Sequence, residues 1–214
     1  MTVTAAPPAA PRLRADASRN RARIIAAARE AFVEFGADVP LDEIARRAGV
    51  GNATLYRNFP DRRELIHHVT LSVLTNVLGH AEEAMAEESD AFRAVSRFTH
   101  AAARERIGAL CPLFSEHIDH DDPELAASRL RLERAVTELI ARAQRDGLLR
   151  DDIGVGDFMV VITQLTRPIP GSSCLNPDGF VDRHLQLFLD GLQAPARSTL
   201  NGRAVTLEDL KRHN

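Results

Sequence analysis

The sequence predicts an all-α protein, and three observations support this class. Apolar residues recur at spacings of three and four along most of the chain, which is the period of helices that bury one face. Residues suited to starting a helix precede several of these segments, and glycines follow them. No stretch alternates apolar and polar residues in the manner of a half-buried strand. A chain of 214 residues with 44% hydrophobic content can fill a real core, in one large domain or two small ones.

The amino-terminal region is predicted to contain a tail and a first helix. Residues 1–17 are rich in Ala and Pro, and we expect them to form a mobile tail. An amphipathic helix is predicted from Ser18, with Gly36 as its carboxyl cap. Its apolar face comprises Ile24, Ile25, Ala28, Phe32 and Phe35.

Two short helices follow, separated by a glycine turn. The first is predicted from Pro40 to Ala48, and Gly49 ends it. The second is predicted from Asn52 to Asn58, with Leu55 and Phe59 directed inward. Two short helices joined in this way are typical of a helix-turn-helix.

A long helix is predicted to begin after the second short one. Pro60 prevents that short helix from continuing, and Asp61 with Glu64 three places on has the form of a helix start. One apolar stripe then persists over several turns, formed by Leu65, Ile66, Val69, Val73, Leu74, Val77 and Leu78. This helix would connect the small front domain to the rest of the chain.

The remaining chain is also predicted to be helical. One segment carries a face formed by Phe92, Val95, Phe98 and Ala102. Asp122 and Pro123 begin another helix, which Gly147 ends. Two further helices, at about 155–167 and 178–192, have broad apolar faces. We predict that these two pack on their copies in a second subunit, forming a four-helix interface on a two-fold axis; the alternative is a buried pair within one subunit.

These elements predict four regions along the chain. After the tail we expect a helix-turn-helix domain over residues 18–68, a larger helical domain over 69–194 and a carboxyl-terminal tail over 195–214. Thr206 and Asp209 can cap a short helix in that last region. The sequence leaves open whether this tail docks on its own subunit.

Charge is distributed unevenly between the two ends. Residues 1–68 contain 11 arginines and 8 acidic residues, whereas the remainder contains 16 basic and 22 acidic residues. The front is therefore the end that could approach a polyanion. No apolar run is long enough for a membrane helix and the amino terminus lacks an export signal, so we expect a cytoplasmic protein without membrane contact. Cys111 and Cys174 are expected to be reduced thiols without a chemical role.

The stretch LDEIARRAGVGNATLYRNFPDRREL, residues 41–65, resembles the DNA-binding segment of TetR-family transcriptional repressors, which often reads IAxxAGVSxxTLYxHFxxKxxL. The resemblance covers about residues 20–68. The matching positions are Ile44, Ala45, Ala48, Gly49, Val50, Thr54, Leu55, Tyr56, Phe59 and Leu65. It implies a homodimer that binds a palindromic double-stranded DNA operator. It also implies that the rear domain encloses a small-molecule pocket, and that an occupied pocket changes the spacing of the two DNA-binding domains.

The second short helix carries the residues expected to contact DNA. The major groove admits one helix, and side chains near the amino end of that helix reach base edges. We expect base contacts from Asn52, Ala53, Thr54 and Arg57. Phosphate contacts, which set the register, are expected from Tyr56, Asn58 and Arg62. The amino-terminal tail either lies on DNA as well or is an inert extension.

Five residues depart from the family pattern. The family commonly has Thr or Ser at the start of the first short helix, where this chain has Val39 and Pro40, so the phosphate contact made there is in question. Gly51 stands in place of the usual Ser, and Asn58 in place of the usual His. Arg62 falls where the family usually has Lys, which keeps the positive charge.

The resemblance also suggests where an effector would bind. Candidate pocket residues are Phe98, Ala102, Cys111, Phe114, Val136, Phe158 and Ile162. Their apolar character predicts a small, uncharged, apolar ligand, and for each of them plain core packing is the alternative. We expect no cofactor.

Two other functions compete with an effector-controlled repressor. A metal-binding enzyme could use His117 and His120, which lie three apart, but the same segment also has the composition of a polar loop before a helix cap. No phosphate-binding loop or nucleophile motif occurs, so we expect no catalytic residue, no metal site and no enzyme. A constitutive or architectural DNA binder is the other alternative; the architectural class would need more widely spread basic residues than the small local excess found here.

Overall fold

The structure of the protein is a computed structural model that describes residues 10–110, 119, 122–167 and 177–211. Over these residues the chain consists of helices, turns and loops, with an isolated antiparallel bridge between Leu149 and Gln193. The helices are α1 (Ala10–Phe35), α2 (Leu41–Ala48), α3 (Asn52–Asn58), α4 (Arg62–Glu87), α5 (Ala91–Arg104), α6 (Pro123–Arg145), α7 (Val155–Leu165), α8 (Pro177–Leu192) and α9 (Leu207–Lys211). Residues 107–110 are helical as well. The predicted all-α class, with a helix-turn-helix followed by a larger helical region, is confirmed.

The chain divides into two compact units, one ending at Val69 and the next beginning at Thr70, so that the division falls within α4. We refer to them as the front unit and the rear unit. The domain limits predicted from the sequence remain a proposal, because compactness alone does not show that a segment folds independently.

The first helix begins earlier than predicted. It starts at Ala10 rather than Ser18, so residues 10–17 belong to α1 and not to the expected tail over 1–17. Pro11 does not prevent this, because a proline in the first turn lacks only an N–H that would have no partner in the helix. The residues after Pro11 are mostly Leu, Arg and Ala, which favour helix. The rest of the predicted tail, residues 1–9, lies outside the described residues.

The front unit packs α1, α2 and α3 around a small apolar core. Its fully buried side chains include Ile24, Ala28, Phe32, Ile44, Leu55, Phe59 and Leu65. Pro40 precedes α2 as its cap, and its carbonyl accepts hydrogen bonds from the N–H groups of Glu43 and Ile44 at 3.1 and 3.3 Å. Gly49 then ends α2 with φ 62°, a left-handed conformation that favours glycine.

The rear unit is built around longer helices with apolar faces. Phe98 on α5 stacks on Phe158 on α7 with ring centroids 6.2 Å apart, and Phe158 contacts Phe188 on α8 at 5.9 Å. The predicted start of α6 is confirmed, because Asp122 accepts hydrogen bonds from the N–H groups of Glu124 and Leu125, both at 2.9 Å. Burial of these faces supplies most of the favourable free energy of such packing.

Arginines tie several backbone segments of the rear unit together. Arg142 on α6 donates to the carbonyls of Met85, Glu88 and Ser89 at 2.9–3.1 Å, which caps the carboxyl end of α4. Arg150 is 8% exposed. Its guanidinium pairs with the Asp152 carboxylate through two hydrogen bonds of 2.6 and 2.8 Å. It also donates to the carbonyl of Gly191 at 3.3 Å and to the carbonyl of Ser198 at 2.8 Å. These contacts fix the end of α8 and the chain that follows it.

The carboxyl-terminal segment docks on its own rear unit. The Gly156 N–H donates to the carbonyl of Val205 at 2.9 Å, and Asp157 accepts from the Val205 N–H at 2.9 Å. The predicted cap of the short last helix is confirmed, because Thr206 and Asp209 exchange hydrogen bonds between side chain and backbone at 2.9 and 3.2 Å. Among the described residues, no helix has the length and apolarity needed to cross a membrane.

Candidate DNA-binding site

α3 has the bounds predicted from the sequence, Asn52 to Asn58, and contains seven residues. Gly51 precedes it in an extended conformation and provides no side-chain cap. A helix this short is marginal on its own, since nucleation costs more than a few hydrogen bonds return. It depends on its anchors: Leu55 is 1% exposed and the following residue, Phe59, is fully buried.

The opposite face of α3 is open to solvent. Asn52, Ala53 and Arg57 are exposed and Tyr56 is 48% exposed, while Thr54 and Asn58 are half-buried. The structure thus brings all six predicted α3 residues to one short helix, with the apolar anchors on its inner side. α3 is therefore anchored by Leu55 and Phe59 and presents Asn52 and Tyr56 to solvent.

Two of the α3 side chains make hydrogen bonds within the helix. Arg57 donates from Nε to the carbonyl of Ala53 at 2.9 Å and from Nη2 to Oγ1 of Thr54 at 3.4 Å. Asn58 donates from Nδ2 to the carbonyl of Thr54 at 2.7 Å. A guanidinium has five N–H donors, so Arg57 retains donors for a base edge, but reaching one requires it to leave these contacts.

Arg62 begins α4 and is half-buried. Its Nη1 donates to the carbonyl of Ala37, in the turn between α1 and α2, a contact that the sequence did not indicate. The predicted start of α4 is confirmed, because Oδ1 of Asp61 accepts a hydrogen bond from the Glu64 N–H at 2.8 Å. Arg62 therefore has a structural partner, and its predicted phosphate contact stays a prediction.

The arginines of α2 are paired with carboxylates. Glu43 accepts hydrogen bonds from Arg46 at 2.7 Å and from Arg47 at 2.9 Å, and these bonds lower the pKa of Glu43 to about 2. Arg47 also pairs with Glu34 at 2.6 Å and lies over the ring of Phe35. Pro40 makes no side-chain hydrogen bond to the start of α2, which agrees with the departure from the family pattern noted at Val39 and Pro40.

Arg21 on α1 is a contact residue of α3 that sequence reasoning missed. Its Nη1 donates to the carbonyl of Asn58 at 2.9 Å, and its guanidinium lies 4.4 Å from the centroid of the Phe59 ring. Its Nη2 contacts Nε2 of His68 on α4. Arg21 is separated from Asn58 by 37 residues, so no local spacing signals the pair.

The predicted pocket residues divide into two groups. Five are buried in the rear unit: Phe98, Ala102, Val136, Phe158 and Ile162. Cys111 and Phe114 lie outside the described residues, as do Cys174 and the pair His117 and His120 of the metal alternative. Within the part of the chain that the structure describes, no three His, Cys, Asp or Glu side chains are grouped to hold a metal ion.

Comparisons with known proteins agree with this geometry. The family model described as bacterial regulatory proteins, tetR family, matches residues 24–69, which hold α2, α3, the second part of α1 and the start of α4. A second model, the carboxyl-terminal domain of SbtR-like transcriptional regulators, matches residues 89–194. An HTH-type transcriptional regulator of Mycobacterium tuberculosis is 46% identical over 57 residues, which is 26% of this chain and 30% of that relative. The chain thus matches less than a third of that curated relative's length.

Solved structures extend the likeness over most of the chain. The TetR transcription regulatory protein from Mycobacterium vanbaalenii is 30% identical with a TM-score of 0.59, and the match covers 85% of this chain and 99% of that one. LfrR from Mycobacterium smegmatis, a TetR-like regulator solved in complex with proflavine, shares the fold at 22% identity with a TM-score of 0.61, covering 85% and 99% of the two chains. With the short helix α3 exposed on one face and family matches in both of its units, the chain belongs to the TetR family of bacterial DNA-binding transcriptional regulators.

Proposed function

We propose that this TetR-family regulator recognises a specific DNA operator by inserting α3 into the major groove. The observation that carries the proposal is the division of α3 into an open face with Asn52 and Tyr56 and a buried face with Leu55. Because the buried face keeps α3 packed on the front unit, the open face can contact DNA without disturbing that packing.

The side chains of α3 suit both kinds of DNA contact. Asn52 can bond bidentately to adenine and Arg57 to guanine, and the methyl groups of Ala53 and Thr54 can contact thymine. Tyr56, Asn58 and Arg62 would hold phosphates and so set the register of the helix without reading sequence. Arg57 and Arg62 must give up or share their present contacts with Thr54 and Ala37 to do so.

The proposed DNA-binding unit is a homodimer formed through α7 and α8. Exposed apolar side chains lie on both helices: Val160 is 38%, Phe180 36% and Leu187 60% exposed. Such a surface favours a partner, and a two-fold partner presents two copies of α3 to two half-sites. The two-fold symmetry of the dimer would make the operator palindromic, with half-sites spaced by about 34 Å, one turn of duplex, or a multiple of it.

The proposed control is release of a repressor from its operator by a small apolar ligand. The five described pocket candidates are buried in the rear unit and carry only apolar side chains. The fold neighbour LfrR was solved with proflavine, which shows that this architecture can hold a small molecule in that protein. A ligand acts as inducer only if it binds better to the conformation whose two α3 helices do not fit the operator.

Selection from a random duplex library by the purified full-length chain tests the DNA proposal. We expect a palindromic consensus, and binding of that duplex should weaken steeply with salt because phosphate contacts release counterions. Tyr56→Phe should weaken binding to all sequences alike. Arg145→Ala, at an exposed residue of α6 that pairs with Glu138, is the matched control and should bind as the wild type does. Recovery of no enriched sequence would contradict the proposal.

Two further measurements test assembly and control. Sedimentation should show a dimer at micromolar concentration and a monomer for Leu187→Glu; a wild type that stays monomeric contradicts the dimer. Thermal shift across a panel of apolar metabolites, scored together with release of the selected duplex, tests induction. If no compound both stabilises the protein and releases DNA, the chain is a constitutive regulator.

A further inference from the structure

We propose that Arg21 is a positioning residue for α3, and that its hold on this helix requires a neutral His68. The consequence for DNA binding rests on the proposed function, because it matters only if α3 is the helix that reads DNA. The hold itself is a property of the front unit and can be tested without DNA.

The carboxyl end of α3 needs a brace. The helix has seven residues, and its last backbone hydrogen bond runs from the Phe59 N–H to the carbonyl of Leu55 at 2.8 Å. The carbonyls beyond that point have no partner within the helix. Arg21 donates to the carbonyl of Asn58 at 2.9 Å, and a cation at this end is also favoured by the helix dipole.

Three contacts fix the Arg21 guanidinium in place. Besides the Asn58 carbonyl, it lies over the Phe59 ring, and its Nη2 is 2.5 Å from Nε2 of His68. The His68 ring in turn packs edge-on against Phe59, with centroids 5.7 Å apart. Arg21 on α1 and His68 on α4 thus contact each other and the residues at the end of α3.

The protonation of His68 decides whether this arrangement can form. Nε2 of His68 faces both Nη2 of Arg21 and Oε1 of Glu64, the latter at 3.0 Å. An arginine can only donate, so the contact with Arg21 requires Nε2 to be an unprotonated acceptor with the proton on Nδ1, whereas the contact with Glu64 requires Nε2–H. When His68 is protonated, Nε2–H donates to Glu64 instead, and Nη2 of Arg21 loses this acceptor and faces a second positive charge.

The surroundings of His68 set the direction of its titration. The charged and titratable groups that face it are Glu64 and His67 on α4 and Arg21 on α1, while Phe59 presents its ring. Burial, and then Arg21, lower the pKa of His68, and Glu64 opposes them. Because its pKa is lowered, His68 stays neutral at pH 6.5 and binds a proton only at lower pH, and the hold of Arg21 weakens as that proton binds.

Histidine NMR of the full-length chain provides the first test. Long-range proton–nitrogen spectra, with the His68 signals assigned from His68→Gln, should show the Nδ1–H tautomer at neutral pH. The His68 signals should titrate below about pH 6.5. An Nε2–H tautomer at neutral pH would overturn the proposal, because that nitrogen could then not accept from Arg21.

Hydrogen exchange of the α3 amides provides the second test. Between about pH 8 and pH 5, and after correction for intrinsic rates, the wild type should lose about tenfold in protection at residues 55–59. His68→Gln, which cannot titrate and keeps an acceptor near the position of Nε2, should hold its protection, whereas the neighbouring control His67→Gln should follow the wild type. Arg21→Lys should lie between the wild type and Arg21→Ala. Equal pH profiles for the wild type and His68→Gln would overturn the proposal. Loss of protection throughout α1 in both Arg21 variants would also overturn it, because Arg21 would then be needed for the folding of the front unit and not for the position of α3.

Affinity for the selected duplex provides the third test. Arg21→Ala should lower affinity about tenfold for all sequences alike and leave the salt dependence unchanged, because a brace releases no counterions. A salt slope that falls by about one per protomer would identify Arg21 as a phosphate contact and overturn the proposal. If the wild type binds no duplex at all, the proposed function fails, and the NMR and exchange results still decide the role of Arg21.

Discussion

The front and rear units hold their helices by different means. α3 in the front unit is short, so two apolar anchors and the Arg21 guanidinium at its last carbonyl keep it in place. In the rear unit, long helices bury whole faces, and arginines such as Arg142 act at their ends. A helix that leaves one face open to solvent is held by few contacts, each of which matters. A helix that buries its face is held by many.

The largest effect on stability is expected for a substitution at Gly108, where the rear unit has no space for a side chain. A Cβ built on Gly108 would collide with the backbone carbonyl of Thr163 and lie 2.6 Å from Oγ1 of Thr166. Because a backbone carbonyl cannot move aside cheaply, Gly108→Ala should lower the free energy of unfolding of the rear unit by about 3 kcal/mol. Urea unfolding followed by circular dichroism measures this loss.

Gly79→Ala is the matched control for this substitution. A Cβ at Gly79 meets nothing within 4 Å, and the residue lies in the middle of α4. The variant should be more stable than the wild type by about 0.5 to 1 kcal/mol, because alanine favours helix. If both variants unfolded at the same urea concentration, the close approach at Gly108 would not be a constraint on the rear unit.

The next effect concerns the arginine at the end of α4. Arg142→Met keeps most of the side-chain volume but removes the hydrogen bonds to the carbonyls of Met85, Glu88 and Ser89. We expect a loss of about 2 kcal/mol in the free energy of unfolding, because hydrogen bonds from a charged donor contribute more to stability than hydrogen bonds between neutral groups. Arg145→Met on the same helix loses only an exposed pair with Glu138 and should change stability by less than about 0.5 kcal/mol. Equal losses in the two variants would mean that the α4 end needs no cap.

A smaller effect is expected at the open face of the front unit. Arg57→Ala should weaken binding to the selected duplex by about 1 kcal/mol, near the lower limit of about 1 to 3 kcal/mol for a base contact. The reason is that wild-type Arg57 must first give up its bonds to Ala53 and Thr54. Affinities for duplexes changed one base pair at a time should show the loss at one position, and a loss spread over all positions would make Arg57 a phosphate contact.

Features that depend on residues close together in the sequence could be predicted from the sequence alone. The bounds of α3 are as predicted, because glycines and Pro60 punctuate the chain on either side of it. The caps at Asp61 and Asp122 are also confirmed, since a cap and its partners lie within three residues of each other. Such features depend on neighbours in sequence, and a single sequence displays them.

Other features could not be predicted, for a physical reason. Arg21, Arg142 and Arg150 all donate to backbone carbonyls far along the chain. Every residue has a carbonyl, so no pattern of side chains marks the acceptor, and an arginine on a helix has the same spacing whether it is solvated or buried. The early start of α1 at Ala10 was missed because prolines and alanines near a terminus suggest a tail more strongly than a helix. The predicted DNA and pocket contacts stay predictions.

Acid titration should distinguish a carboxylate that is bound by two arginines, in the front unit, from one that is bound by a single arginine, in the rear unit. Glu43 in the front unit bonds to Arg46 and Arg47, and Asp152 in the rear unit bonds chiefly to Arg150, with a long contact from the Leu200 N–H at 3.4 Å. The pKa of each carboxyl is lowered to about 2 by its arginine hydrogen bonds. Because both values are lowered, the stability that these pairs contribute is present above the ordinary carboxyl pKa and is lost as the pH falls through about 2.

Carbon-13 NMR of the carboxyl groups in arginine variants measures the difference. In Arg46→Met the pKa of Glu43 should rise only part of the way to its ordinary value of 4.5, because Arg47 still donates to Oε1. In Arg150→Met the pKa of Asp152 should return almost to 3.8, because the remaining Leu200 N–H is a weaker, neutral donor. An Asp152 pKa that stayed near 2 in that variant would mean that backbone donors hold the carboxylate, and the rear unit would then share the redundancy of the front one.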